Sequence, residues 1–134
     1  MNLIAAHRAS EEKLDQFLVK NRNVNKASLL EAGYVVEIAE QIQGCFSLER
    51  MDEGSYWLKQ LYITKAEAAK LPVLLEAILN LAKEQEAKKI YVRSHQPVVD
   101  VLLESLQFHP QREEMPVDKS NQKEGNWWTY DVSS

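Results

Sequence analysis

Cysteine is nearly absent from this chain. Cys45 is the only one in 134 residues, which rules out an internal disulfide and any cysteine-built zinc site. Excess positive charge is missing too: 16 Lys and Arg against 20 Asp and Glu give a formal net charge of −4. With no basic stripe to neutralise a phosphate backbone, nucleic acid is excluded as the main partner. A small negative balance suits a cationic or amine-bearing ligand better, although it steers weakly. Long apolar runs are also lacking. The longest, Leu71 to Ala82, is interrupted by Glu76 and Asn80 and falls short of the ~20 residues that cross a bilayer. The first eight residues hold too short an apolar run for an export signal and meet Glu11 and Glu12 soon after, so a cytoplasmic chain is expected.

What is present describes one folding unit. An apolar fraction of 45% beside 27% charged residues is that of a globular protein, and residues 1–134 suffice for a single domain around one core. Cys45 lies in an alternating stretch, where a small apolar core residue is expected ahead of a nucleophile.

Local patterns supply the element order. Leu3 to His7 reads as a short strand, and Ser10 as an N-cap before Glu11 and Glu12, with Leu14, Phe17 and Leu18 at helical spacing behind them. Asn21 to Lys26 is a polar connection, and Ser28 to Ala32 is ambiguous. From Gly33 the period becomes two. Tyr34–Glu40 and Gln43–Arg50 read as an antiparallel pair, Gly54 serves the turn at Met51–Ser55, and Tyr56–Ile63 completes a meander. Leu71, Leu74, Leu75, Ile78, Leu79 and Ala82 share one helix face, and Lys89–Ser94 returns as a strand, a crossover that implies parallel pairing. Pro97 opens a second helix with Val98, Val101, Leu102 and Leu106 predicted inward. Phe108-His109-Pro110 ends it, and a terminal hairpin is expected from Gln111–Met115 and Trp127–Val132.

Together these elements make an α/β (α+β) chain with a mixed, mostly antiparallel sheet of about six to seven strands and helices on both faces. The order resembles the GCN5-related N-acetyltransferase (GNAT) family over nearly the whole chain. Leu61-Tyr62-Ile63 is similar to the end of that family's fourth strand. Leu102-Leu103-Glu104-Ser105-Leu106-Gln107-Phe108-His109-Pro110 resembles its segment leucine, tyrosine, glutamate, two residues, glycine, phenylalanine. Gln96, with Val99 three residues on, is similar to the asparagine and small residue that begin the same helix.

The resemblance implies an N-acyltransferase that uses acetyl-CoA or another acyl-CoA as co-substrate, needs no metal, and acts on a small-molecule or peptide amine. It implies central parallel strands, Tyr56–Ile63 and Lys89–Ser94, that splay to admit a pantetheine arm. Main-chain groups of Leu61, Tyr62 and Ile63 would hold that arm, and Gln96 is the fourth cofactor-binding candidate. Two departures from the family pattern stand out. Its pyrophosphate cradle, a glycine-bearing loop opening a helix, corresponds here to Ala68-Ala69-Lys70-Leu71-Pro72-Val73, which has no glycine and no arginine, and Pro72 lacks an N–H. Thr64-Lys65-Ala66-Glu67 fits a capping box that would occupy the same donors, with Lys65 and Lys70 as point charges nearby. Leu103 stands where family members carry a tyrosine that protonates the departing thiolate. A degenerate, non-catalytic binding or regulatory module, as a homodimer or alone, is therefore the alternative to an enzyme.

No catalytic residue is assigned. Glu37, Glu49 and His95 are the groups able to deprotonate an amine, each with a plainer role as a solvent-facing strand residue or a loop histidine. Lys59, set among Tyr56, Trp57, Leu58 and Leu61, is expected to pair with a glutamate of a neighbouring strand rather than act as a buried base. His7, His95 and His109 lack metal-ligand spacing. Trp127, Trp128 and Tyr130 form the densest aromatic cluster, read as core or subunit contact, with Trp128 the one placed to stay exposed as an acceptor-site wall.

Overall fold

The computed structural model describes residues 1–94, 97–110 and 126–132. Its strands are β1 (Asn2–Ala5), β2 (Gly33–Ile38), β3 (Gln41–Asp52), β4 (Ser55–Ile63), β5 (Lys89–Ser94), β6 (His109–Pro110) and β7 (Asn126–Asp131). Its helices are α1 (Glu11–Lys20), α2 (Lys26–Ala32), α3 (Leu71–Glu84) and α4 (Pro97–Ser105), with 3₁₀ segments at Ala6–Arg8 and Lys65–Lys70. The strands form one mixed sheet in the order β1-β2-β3-β4-β5-β7-β6, with β4 and β5 parallel. Contacts divide the chain into two compact units, Met1–Glu49 with Lys59–Leu71 and Arg50–Leu58 with Pro72–Ser134. Among the described residues no helix is long and apolar enough to cross a membrane.

In the first unit Ser10 caps α1 by accepting Lys13 N at 3.4 Å, and Glu11 and Glu12 occupy the first turn as the helix dipole favours. Leu14 and Phe17 face inward and join Ala6, Leu29, Val35, Ile42 and Cys45 in one buried cluster. Removing each large apolar side chain from water contributes about 1.5–3 kcal/mol. The ambiguous stretch after Lys26 is α2, whose cap is Asn25 Oδ1 accepting Ser28 N at 3.0 Å. Leu29 is its only fully buried side chain, too little to leave a readable period.

Cys45 is a core residue, as its alternating context predicts. Its thiol donates to Gln60 O at 3.4 Å, and burial pushes its pKa from 9.0 up to about 12. The folded chain thus holds this proton longer than the unfolded chain does. The resulting stability is complete below pH 9 and is lost as pH rises towards 12. Urea unfolding from about pH 7.5 to 10.5 should show the advantage of the parent over Cys45→Ala shrinking by about 1.4 kcal/mol per pH unit above the unfolded thiol's pKa. A constant difference would contradict this.

In the second unit β5 pairs in parallel with β4, Ser55–Leu58 against Lys89–Val92, and antiparallel with β7 along its whole length. α3 buries Leu74, Leu75, Ile78 and Ala82, the face its spacing predicts. α4 corrects the prediction. Val101 is 69% exposed, whereas Leu103 is fully buried and Val99 and Leu106 are half-buried. Apolar residues surround this helix on most sides, so spacing alone leaves its rotation undetermined. The expected hairpin strand Gln111–Met115 lies outside the described residues; within them β7 pairs with His109–Pro110.

Candidate functional site

The strand singled out by sequence, β4, changes character at Gln60. Its ladder with β5 covers Ser55–Leu58, and two residues later Gln60 adopts φ +55, a left-handed conformation that is costly for a residue with a Cβ. Tertiary hydrogen bonds hold it there. Gln60 Oε1 accepts Asn25 N at 2.7 Å, and Gln60 Nε2 donates to Ser47 Oγ at 3.2 Å.

Past Gln60 the chain turns its polar groups alternately to the two edges of the strand. Thr64 N donates to Gln43 O of β3 at 2.9 Å. Tyr62 O also faces β3, so close that a Cβ on Gly44 would lie 2.5 Å from it. Because main-chain direction alternates along a strand, the N–H and C=O of Leu61 and Ile63 point from the opposite edge. Tyr62 is exposed, and its ring lies 5.8 Å from that of Phe17.

The predicted capping box at Thr64 does not form. Thr64 precedes the 3₁₀ segment without a side-chain cap, because its hydroxyl donates to Gln43 Oε1 at 2.9 Å. Glu67 instead pairs with Lys70 Nζ at 2.8 Å, while exposed Lys65 makes no ion pair among the described residues. Pro72 is exposed as the second residue of α3.

The candidate bases are largely occupied or elsewhere. Glu49 is ion-paired with Lys59, as the strand context of the lysine predicts, and Glu37 lies 4.0 Å from Lys13. His95 and Gln96 lie outside the described residues. His109 Nε2 is 3.2 Å from Asp131 Oδ2 on the surface, His7 is exposed, and no group of three ligating side chains among the described residues could hold a metal ion. Leu103 is fully buried, so the position of the family's tyrosine holds a core side chain. Gln107, at the glycine of the same segment, takes φ +73.

Trp128 is 7% exposed, as is Trp127, so the core reading of this cluster holds and neither indole is left exposed as an acceptor-site wall. Trp128 Nε1 donates to Asp100 Oδ1 at 2.8 Å. Trp127 packs 5.6 Å from Trp57 with Arg93 over its ring, and its indole N–H finds no acceptor among the described residues. Trp128→Phe is expected to cost roughly 1.5–3 kcal/mol for the lost bond to a carboxylate, and Trp127→Phe, which deletes an unsatisfied donor, clearly less. Urea midpoints in the reverse order would contradict these assignments.

No family model and no curated protein matches the chain. Solved structures do. A GNAT-family acetyltransferase from Staphylococcus aureus Mu50 aligns with TM-score 0.70 at 20% identity, over 98% of this chain and 99% of its own. An N-acetyltransferase from Campylobacter jejuni in complex with acetyl coenzyme A aligns with TM-score 0.72 at 14% identity, over 98% of this chain and 99% of its own. An N-acetylglutamate synthase from Neisseria gonorrhoeae, complexed with coenzyme A and N-acetyl-glutamate, gives 0.76 at 13% identity over 99% of this chain but only 35% of that one. At these identities the likeness is one of architecture: the seven strands and four α-helices of the described residues have the GNAT fold.

Proposed function

We propose that this chain is an acyl-CoA-dependent N-acyltransferase that moves an acetyl or related acyl group to an amine. The supporting observation is that past Gln60 Tyr62 O and Thr64 N face β3, from which strand alternation turns the main-chain donors and acceptors of Leu61 and Ile63 outward. An extended, amide-bearing pantetheine arm pairs with such an edge as an added strand would, whatever the side chains are. Tyr62 flanks this rail and Gln96 is kept as a further cofactor contact. Structural likeness to proteins holding coenzyme A or acetyl coenzyme A supports the same co-substrate. The pyrophosphate contact is altered. With no glycine between Ala68 and Val73, no N–H on Pro72 and Lys70 engaged by Glu67, Lys65 is the charge at hand.

In the transfer an N–C bond forms as the C–S bond breaks. The amine nitrogen gives up its proton to solvent water, no side chain being assigned as base, and the thiolate departs ionised, Leu103 having no proton to donate. Holding the reactants together supplies much of the rate, up to about 7–11 kcal/mol in well-oriented cases. A single cysteine suits a reducing compartment, and we place the enzyme in the cytoplasm.

Acetyl-CoA at ten times its Kd is expected to stabilise the chain by about 1.4 kcal/mol, a rise of a few degrees in Tm. Thiol should also be released when a panel of small amines and peptides is added. The buried Leu103 favours one other reading, a non-catalytic module, as a monomer or a homodimer. Stabilisation by acetyl-CoA with no thiol release across the panel selects that module; no stabilisation at millimolar acetyl-CoA overturns the transferase.

A further inference from the structure

Helix α1 carries Lys13, Gln16, Phe17 and Lys20 at the spacing of a single helical face, and that face walls a cavity of about 220 Å³. Opposite it stand Gln41, Gln43 and Thr64. The β2–β3 register jumps from Val36↔Gly44 to Glu37↔Ile42, which leaves Gln43 bulged out of the ladder. The bulged side chain joins a relay. Thr64 Oγ1 donates to Gln43 Oε1 at 2.9 Å, and Gln43 Nε2 donates to Gln41 Oε1 at 3.3 Å. With its oxygen taken, Gln41 has its NH₂ group left to offer, so the open end of the relay is a donor.

Two lysines line this space. Lys20 makes no ion pair among the described residues, and Lys13 pairs with Glu37 Oε2 only at 4.0 Å, too long for a hydrogen bond, which leaves its N–H donors to offer. Glu11, Glu12 and Asp15 line a different hollow on α1, and Asp15 is paired with Lys26. Cations and oriented amide donors together recognise oxyanions. At ~30 Å³ per water the space amounts to roughly seven waters, room for a molecule of about seven non-hydrogen atoms and too little for a nucleotide cofactor.

We infer that this cavity binds a small oxyanion, a carboxylate or phosphate group held by Lys13 Nζ, Lys20 Nζ and Gln41 Nε2. The site is independent of the acyl-CoA reading, and its test uses no CoA. Isothermal titration of the full chain with sodium malonate and, separately, with sodium phosphate, in about 0.1 M sodium chloride, distinguishes the two sources. A saturable one-site heat is expected for at least one of them. Lys20→Gln should weaken it at least about tenfold, and Gln41→Glu, which places a carboxylate at the end of the relay, should abolish it. Both replaced residues are exposed, so Tm should stay within about 2 °C of the parent. Absence of saturable heat with either anion overturns the site. So does heat that survives Gln41→Glu unchanged, since a carboxylate at the end of the relay would repel an anion held there.

Discussion

Gly44→Ala is expected to destabilise the chain by roughly 2–3 kcal/mol, the cost of forcing a methyl group into a packed position. The added Cβ would lie 2.5 Å from Tyr62 O, a main-chain atom that cannot swing aside as a side chain can. Gly44 is buried and sits beside the bulge at Gln43. Relief requires β3 to withdraw from the end of β4, which strains the bond from Thr64 N to Gln43 O. The damage therefore falls on the segment that presents Leu61 and Ile63, and acetyl-CoA affinity should decline along with stability. An unchanged urea midpoint would show that the two strands do not approach this closely.

Ile63→Pro is expected to weaken acetyl-CoA binding about tenfold, while Ile63→Ala changes it less than about threefold. Proline deletes the Ile63 N–H, and on a group that points away from β3 this spares the existing ladder. The loss corresponds to one hydrogen bond, about 1.4 kcal/mol. Alanine keeps the N–H and removes only the side chain. Titration calorimetry on both variants, with Tm recorded as a folding control, separates the contributions. Equal losses in the two would mean that binding depends on the Ile63 side chain and not on the rail.

Much of the fold was legible where periodicity has one solution. α3 sets apolar residues on one face and charged ones on the other, so its buried side chains follow from spacing. β5 is a short β-branched and aromatic run, and its observed limits, Lys89–Ser94, are those read from sequence. Lys59 could be matched to a glutamate because an interior strand lysine needs a cross-strand partner, and Glu49 supplies it.

The features that shape the candidate site leave no such trace. A glutamine at φ +55 has no sequence signature, since Gln60 is held by Asn25 and Ser47, 35 and 13 residues away. Thr64 illustrates the same limit. Its capping pattern is local and sound, yet the hydroxyl takes Gln43 once the fold brings that side chain near. α4 is apolar on too many sides to declare its buried face, and Trp128 finds Asp100 only through the packing of α4 beside β7.

The central claim is that the edge of β4 holds an acyl-CoA. Isothermal titration of the full chain with acetyl-CoA addresses it most directly. One saturable site per chain is predicted, with a Kd between roughly 10 μM and 1 mM, the range in which enzymes commonly hold their substrates; no saturable heat at several millimolar acetyl-CoA would contradict it.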